Sequence, residues 1–287
     1  MKTKQNEINR SKNTFYGDVV ANFKRWITKF LRSPHEVIMN LLNPIIFLIM
    51  FTEIFGHVVS GPISQILGSQ VNYTTFLLPA IAMQVAVTTG QGAGIGLVRD
   101  IDEWIFEKVM VSPMNKIAVF LGKTFSEISR IAVQILIVLI LGILLGANIS
   151  TGVLGIIGVI LVGMIFSMVF ISLTTTIAMI TKDQEAMMAI MMPIMFPLLF
   201  LSSAFLPLKM VPSWIQTIAK VNPVTYGVDA ARAIILEKNV STVLDVSMFS
   251  GMWNTIIPSI AILLVYILVL GAIAVYTIKR ETSSEAK

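Results

Sequence analysis

The chain contains no cysteine and little charge. Without cysteine it can form no disulfide, no thiolate zinc site and no cysteine nucleophile. Only 13% of the 287 residues are charged, compared with about 25% in typical soluble proteins. In contrast, 55% are hydrophobic and the mean hydropathy is +0.83. This composition predicts a membrane protein, and residues 1–36 hold no apolar run long enough to suggest a signal peptide.

Motifs of catalysis and cofactor binding are also missing. Gly122–Thr124 imitates the end of a phosphate-binding loop, but Ile117 stands where that loop requires its first glycine. The two histidines, His35 and His57, fall at opposite ends of the first apolar stretch, so a metal site built by one chain is not expected. No nucleophile–base pair is apparent in the apolar stretches. We therefore predict that the chain is not an enzyme and binds no cofactor itself.

The glycine-rich stretch Thr89–Gly96 does not have the spacing of a dinucleotide-binding motif. It contains two pairs of glycines four residues apart, Gly90 with Gly94 and Gly92 with Gly96. Small residues at this spacing let helix backbones approach closely in membranes. The stretch therefore predicts close helix packing rather than nucleotide binding.

Six stretches are long and apolar enough to cross a bilayer, which takes roughly 20 mostly apolar residues. The uncharged run between Arg130 and Lys182 is too long for one helix, and the turn residues of Gly146–Gly152 divide it in two. Prolines interrupt the fifth stretch. The sequence therefore predicts an all-α multi-pass membrane protein with six transmembrane helices. The predicted spans are about 37–56, 73–98, 117–147, 152–180, 186–208 and 254–278.

Lysine and arginine are distributed unevenly between the two sides that six alternating spans define. One side, which includes both termini, carries 17 of them, and the other carries four, all within 209–238. Because cytoplasmic loops are enriched in Lys and Arg, both termini are predicted to lie in the cytoplasm, with the protein in the cell membrane. These flanks explain the net charge of +5, so no nucleic-acid partner is expected. The predicted order is a cytoplasmic N-terminal region, a transmembrane domain and a cytoplasmic tail, at 1–36, 37–278 and 279–287.

The segment Tyr16–Leu31 is amphipathic without being apolar enough to span. Apolar residues recur at helical spacing along one face, and basic residues are placed to reach lipid phosphates. This pattern favours a helix lying in the cytoplasmic interface of the membrane. The alternative is an ordinary solvated helix with a core-facing side. The residues expected at the interface are Phe23, Lys24, Arg25, Trp26 and Phe30.

A second such region, 209–238, lies between the fifth and sixth spans. Pro212, Pro223 and Gly227 divide it into short helical pieces with apolar faces. Because Trp and Tyr favour the headgroup level, we predict two short helices at or dipping into the outer leaflet. Backbone that dips into the bilayer requires protein or water to cover its polar groups.

The segment Gly96–Lys116 places charge between two apolar stretches. The six charged residues from Arg99 to Lys108 would oppose insertion by roughly 15–20 kcal/mol, so the segment is predicted to lie in the cytoplasm. Acids line one face of the predicted helix beside a tryptophan, an arrangement suited to docking on a partner protein. The alternative is a helix resting on lipid headgroups, which an anionic leaflet disfavours for acidic residues. The expected docking residues are Asp100, Asp102, Glu103, Trp104, Glu107 and Lys108.

Polar residues also occur within the predicted spans. They are explained either as interhelical hydrogen bonds, each worth about 0.6 kcal/mol, or as the lining of a transport pathway. No ionisable residue is predicted to lie deep in a span, and Glu53, the nearest, is expected at the outer edge. Ion-coupled transporters usually need such buried groups, so ion coupling is disfavoured. The candidate pathway residues are Asn40, Asn43, Gln84, Thr88 and Gln91.

Three blocks within about Phe15–Arg280 resemble the membrane subunits of ABC-2-type exporters, particularly the daunorubicin-resistance-like permeases. They read FLRSPHEVIMNLLNPIIFLIMF, VRDIDEWIFEKVMVSPMNKIAVFLGKTF and LSSAFLPLKMVPSWIQTIAKVNPVTYGVDAAR. The last block is the most specific of the three. Its residues at positions typical of the family include Pro207, Trp214, Asn222, Pro223, Tyr226 and Arg232.

The resemblance implies that Asp100–Val111 includes a coupling helix that sits in a groove of a separate ATP-binding subunit. It also implies that Tyr16–Leu31 is an interfacial connecting helix, and that a transporter contains two membrane subunits and two ATPases. ATP and magnesium would then be bound by the partner. We predict a permease subunit of an ATP-driven exporter for a hydrophobic or amphipathic substrate, such as a drug, a lipid-linked molecule or a peptide. The alternative is an ion-coupled secondary transporter or channel without an ATPase.

Overall fold

A computed structural model of the protein describes residues 15–32, 34–67, 71–102, 116–244 and 248–284. Throughout these ranges the protein has helices and no strand, which confirms the predicted all-α class. The helices are α1 Phe15–Arg32, α2 Pro34–Leu67, α3 Tyr73–Asp102, α4 Lys116–Leu144, α5 Gly152–Thr181, α6 Gln184–Phe200, α7 Ser213–Ala219, α8 Pro223–Leu236 and α9 Trp253–Ser284, with a 3-10 turn at Leu208–Met210.

Five of the described helices are long and apolar enough to cross a membrane: α2, α3, α4, α5 and α9. A lipid environment offers no hydrogen bonds to the backbone, so an apolar chain there satisfies its amides internally by forming helices. A turn at residues 145–151 separates α4 from α5, where the turn residues of Gly146–Gly152 predicted one. The protein is therefore a multi-pass membrane protein.

The region predicted as the fifth of six spans contains a shorter helix. The 17 residues of α6 extend roughly 25 Å, less than the roughly 30 Å of a hydrocarbon core. The chain leaves the helix at Leu201 and bends through residues 201–206, short of the predicted end at 208. Two carbonyls near this end, those of Leu198 and Leu201, accept hydrogen bonds from the Asn222 side chain. The Asn222 side chain thus supplies the hydrogen-bond donors that the next turn of α6 would have supplied. The count of six spans stays a prediction.

The helix α2 is longer than the first predicted span. It continues past Gly56 to Leu67, and two prolines, Pro44 and Pro62, lie within it without ending it. Near its end the Ser60 hydroxyl accepts a hydrogen bond from the Tyr73 amide at the start of α3, at 3.2 Å. Ser60 therefore lies level with the first turn of α3.

The helix α3 lies at the centre of the bundle. In its most apolar window 72% of the residues are buried, and it packs against α2, α4, α5 and α8. A Cβ built on Gly90 would lie 2.9 Å from Phe170 Cβ, and one on Gly94 would lie 2.8 Å from Thr174 Cβ. These distances are shorter than normal carbon contacts, so α5 approaches α3 this closely only because both residues are glycine. The close packing predicted for Gly90 and Gly94 is confirmed.

The helix α8 is enclosed by α3, α5 and α9. Every one of its residues after Pro223 is buried, whereas Trp214 on the neighbouring α7 is exposed. Surrounding protein therefore covers the backbone of α8, as a helix dipping into a bilayer requires. We call this end of the bundle the α8 end, and the opposite end, which holds Asp100 and Lys123, the charged end.

Candidate functional site

At the charged end, one buried ion pair joins two helices. The Lys123 ammonium, near the start of α4, lies 3.0 Å from a carboxylate oxygen of Asp100, near the end of α3. Both residues are buried, with 8% of Asp100 and 9% of Lys123 exposed. The charged sequence segment connects α3 to α4. The ion pair therefore fixes, relative to each other, the two helix ends from which that segment emerges.

The same lysine brings α1 into contact with this pair. Its ammonium lies 4.7 Å from the centroid of the Trp26 ring, within the range of cation–π attraction. The neighbouring Gly122 packs directly on α1, because a Cβ there would lie 2.7 Å from Asn22 Cβ and from the Val19 carbonyl oxygen. The helix α1 is thus joined to the start of α4 by both packing and charge.

The helix α1 turns a polar face toward the protein. Asp18 and Asn22 are buried, and the Asn22 amide donates to the Asp18 carbonyl at 2.9 Å. Tyr16 and Val20, from the predicted lipid-facing side, are exposed. Of the predicted interfacial residues, Lys24 and Arg25 are exposed, Phe23 and Trp26 are half-buried, and the side chain of Phe30 lies outside the described residues.

A small cleft, with room for about one water molecule, opens beside the ion pair. Apolar residues of α3 and α5 form part of its wall, together with Lys123, Thr124 and Glu127 of α4. Glu127 also pairs with Arg130 at 3.1 Å. A Cβ on Gly92 would lie 3.0 Å from a terminal nitrogen of Arg130, so this glycine leaves room for a guanidinium rather than for a helix. Each of the two acids, Asp100 and Glu127, thus has a basic partner, Lys123 or Arg130.

Among the predicted docking residues, Asp100 has a described side chain. It is buried against Lys123 and therefore positions the helix ends instead of presenting a charge to a partner. The side chain of Asp102 and the whole of Glu103, Trp104, Glu107 and Lys108 lie outside the described residues. Their docking role stays a prediction.

The role of the predicted pathway residues stays a prediction. None of them lines the cleft: Asn43 is exposed, Gln84 is buried, and Asn40, Thr88 and Gln91 are half-buried. Other polar residues join the helices directly. The Thr89 hydroxyl donates to the Gln134 side chain on α4 at 2.5 Å, and the Thr174 hydroxyl on α5 donates to the Gly90 carbonyl at 2.8 Å. Of the two explanations for polar residues within the spans, Thr89, Gln134 and Thr174 therefore show the first, hydrogen bonds between helices.

At the α8 end, a buried arginine ties three segments together. Arg232 is 1% exposed. Its guanidinium donates to the Ser203 and Ala204 carbonyls at 2.9 and 3.1 Å and to the Phe76 carbonyl on α3 at 3.3 Å. The guanidinium carbon also lies 3.8 Å from the Phe76 ring centroid. The bent segment 201–206 is thereby attached to both α8 and α3.

A buried carboxylate, Asp229, completes this cluster one helical turn from Arg232. It lies 3.6 Å from an Arg232 nitrogen and accepts hydrogen bonds from the Ser203 hydroxyl at 2.6 Å and the Thr242 amide at 3.0 Å. Burial raises the pKa of Asp229, and Arg232 with these donors opposes that rise. Burial also lowers the pKa of Arg232 to about 10, so the guanidinium stays charged at neutral pH.

Asn222 caps two helices at once. Its carbonyl oxygen accepts from the Val224 amide at 2.9 Å, which caps the start of α8. Its amide nitrogen donates to the Leu198 and Leu201 carbonyls at 2.7 and 2.9 Å, at the end of α6. The Tyr226 hydroxyl donates to the Lys220 carbonyl, between α7 and α8. Within this block of predicted residues, Asn222, Tyr226 and Arg232 therefore organise the α8 end, whereas Trp214 does not join them.

Replacing Asn222 with alanine is expected to lower the free energy of unfolding by about 2–4 kcal/mol, because one cap is lost and two carbonyls lose their donor. Thermal melting of detergent-solubilised protein, followed by size-exclusion chromatography, measures this loss. Asn222→Asp should lose less, since it keeps the acceptor for the Val224 amide. Ser213→Ala, at an exposed site on α7, is the control and should melt with the wild type. Equal melting of all variants would contradict the double cap.

Sequence reasoning did not place Asp229, Ser203 or Lys123 among the candidate site residues. The Asp229–Arg232 spacing is a usable signal, because two opposite charges three residues apart in an apolar helix face the same side. Asp100 and Lys123 belong to different helices, and nothing local in the sequence pairs them. Only the fold brings that pair together.

These features define a membrane protein in which a charged sequence segment connects two of the candidate spans, α3 and α4. Residues 18–236 match the family model described as ABC-2 type transporter, and the chain belongs to that family. It is therefore a permease subunit of an ABC transporter.

Relatives carry related names. The "Daunorubicin resistance ABC transporter permease protein DrrB1" of Streptomyces coeruleorubidus is 28% identical over 211 residues, which cover 74% of this chain and 72% of that protein. The "Putative transport permease ycf38" of Cyanophora paradoxa is 25% identical over 244 residues, covering 82% and 81%. The "Probable multidrug ABC transporter permease YbhR" of Escherichia coli K12 is 26% identical over 199 residues, covering 67% and 50%.

Proposed function

We propose that the protein is the membrane-spanning subunit of an ATP-driven exporter for a hydrophobic or amphipathic substrate, such as a drug, a lipid-linked molecule or a peptide. The buried Asp100–Lys123 ion pair carries this proposal, because it ties together the two helices that a docked partner would push. Relatives named for daunorubicin and multidrug transport support the substrate class. The exposed methionines Met188 and Met192 of α6 add a flexible apolar surface suited to varied substrates.

The proposed partner is a separate ATP-binding subunit, which would hold ATP and magnesium. It would dock on the charged segment through Asp102, Glu103, Trp104, Glu107 and Lys108, since an aromatic anchor among charges is typical of interface hot spots. Because the ion pair ties α3 to α4, displacement of that segment by the ATPase would move both helices together. Through Trp26 and Gly122, α1 would follow.

The proposed orientation places the charged end and both termini in the cytoplasm of a cell membrane, in accord with the 17 to 4 distribution of Lys and Arg. In this arrangement α1 lies along the inner interface, and its exposed Lys24 and Arg25 reach lipid phosphates. The helix α6 and the bent segment 201–206 make the sixth crossing. A second permease copy completes the transporter.

The test is capture of the ATPase by the full-length, affinity-tagged permease, co-expressed with a P-loop ATPase encoded by a neighbouring reading frame. The double variant Trp104→Ala with Glu107→Lys should reduce the captured ATPase by roughly tenfold or more, because it removes both an anchor and a charge. Lys220→Ala, at the opposite end of the bundle, is the matched control and should capture normally.

Transport gives the second readout. ATP-dependent daunorubicin uptake by inside-out vesicles should be lost in the double variant and retained in the control. Uptake that survives ATP depletion and collapses with an ion gradient would instead support an ion-coupled carrier and overturn the proposal.

A further inference from the structure

One face of α2 carries a stripe of exposed residues in which polar and apolar side chains are mixed. Its members follow each other at alternating steps of four and three residues, so they share one side of the helix. All are exposed in the single chain. The stripe consists of Met39, Asn43, Ile46, Met50, Glu53 and His57.

The stripe lies within the candidate span Val37–Ile66. Ser60 is level with the start of α3, through its hydrogen bond with the Tyr73 amide. The ring of Phe55 lies 6.1 Å from that of Tyr73, which sets the same level. Glu53 is seven residues from Ser60 on the inner side, or about 10 Å along the helix. The extended helix therefore places this carboxylate inside the span and not at its end.

A comparison with α9 shows that the stripe is unusual. Both helices are equally open, with 17% of each apolar window buried. Yet α9 turns its polar residues Asn254, Thr255 and Ser259 inward and exposes apolar ones, such as Val265 and Leu268, as a lipid-facing helix should. Lipid acyl chains offer no hydrogen bonds to the side chains of Asn43, Glu53 and His57. Ionisable residues in membrane spans normally face protein or water. The stripe therefore faces protein or water, and not acyl chains, in the assembled transporter.

We infer that this stripe of α2 is the surface on which a second copy of the chain packs, with α2 against α2. The inference rests on the two-permease arrangement of the proposed function. Alternating steps of three and four residues form the seam of two parallel helices. A two-fold axis along the membrane normal sets each residue opposite its own copy. An asparagine both donates and accepts, so Asn43 can pair with Asn43 of the other copy.

The ionisable residues fit the same seam. Glu53 and His57 are four residues apart, and in a parallel pair the Glu53 of one copy lies within about one turn of the His57 of the other. Acid and imidazole then meet across the axis, sheltered from lipid. The remaining members, Met39, Ile46 and Met50, supply the apolar packing of the seam.

The chain lacks cysteine, so a single introduced cysteine can form no disulfide within one copy, and any disulfide between two permease copies joins the introduced cysteines. Full-length Ile46→Cys and Met50→Cys variants are co-expressed with the ATPase and oxidised with copper phenanthroline in native membranes. Leu268→Cys on α9, at 72% exposure, is the matched lipid-facing control. Because a disulfide needs Cα atoms within about 7 Å, the α2 variants should give roughly tenfold more cross-linked dimer than the control.

Co-purification of two differently tagged copies without introduced cysteines is measured in parallel. It tests whether two copies pair at all, through α2 or through any other surface. Tags that co-purify together with cross-links at positions 46 and 50 support the inference. Tags that co-purify without those cross-links, or with dimer formed at Leu268→Cys instead, overturn the α2 seam and leave the two-permease arrangement standing. Tags that do not co-purify overturn both.

Discussion

Replacing Arg232 with methionine should remove about 3–5 kcal/mol from the free energy of unfolding, because one partner of a buried ion pair is lost. Asp229 would stay buried without its cation, and the carbonyls of Phe76, Ser203 and Ala204 would lose their donor. For a protein of this size such a loss lowers the melting temperature by roughly 10 °C. Melting of the detergent-purified protein, read by size-exclusion chromatography, measures it.

Two variants separate charge from geometry at this site. Arg232→Lys keeps the charge but cannot reach three carbonyls with a planar guanidinium, so its melting temperature should fall between those of the wild type and Arg232→Met. Adding Asp229→Asn to Arg232→Met should recover part of the loss, since no unpaired charge then stays buried. Lys209→Met and Lys220→Met, at exposed sites of the same end, should melt normally. A stable Arg232→Met protein would refute the role assigned to this cluster.

Breaking the other buried ion pair should uncouple ATP hydrolysis from transport. With Lys123→Gln, α3 and α4 are no longer tied at the charged end, and a push on the segment between them is no longer delivered to both helices. ATP hydrolysis by the assembled transporter should continue, while ATP-dependent daunorubicin uptake into inside-out vesicles should fall by about tenfold or more, a change of about 1.4 kcal/mol in coupling.

A charge swap tests whether the pairing itself matters. Asp100→Lys combined with Lys123→Asp restores opposite charges at the same two positions and should recover much of the transport that either single variant loses. Arg99→Gln is the control, because Arg99 is the exposed neighbour of Asp100 at the same level. Full transport by Lys123→Gln, or no rescue by the swap, would show that the pair serves packing alone.

The sequence could predict the helical core of this fold because hydropathy and length are local properties. Five apolar stretches became the long helices α2, α3, α4, α5 and α9, and Gly90 with Gly94 marked where α5 approaches α3. The end of α6 could not be predicted in this way. It depends on the Asn222 amide, which lies more than twenty residues further along the chain and satisfies carbonyls that another helical turn would have used.

Long-range pairing explains the rest of what sequence reasoning did not find. On the helix predicted from the sequence, Asp100 shares a face with Glu103 and Glu107, so the pattern assigned it to docking, whereas the structure shows it buried against Lys123. The burial of α8 could not be predicted from the sequence for a similar reason. Its polar residues, Asp229 and Arg232 among them, suggest an exposed side, but each polar group finds its partner on another segment.

The complete burial of α8 bears on where cargo can leave. At that end, side chains fill the space that α3, α5 and α9 surround, and Arg232 anchors the bend beside it. In the described part of the chain, packed side chains therefore close the space between these helices at the α8 end. In the proposed transporter with two permease copies, an exit that avoids α8 would run along the boundary between the two copies, so its width would be set by how far they part.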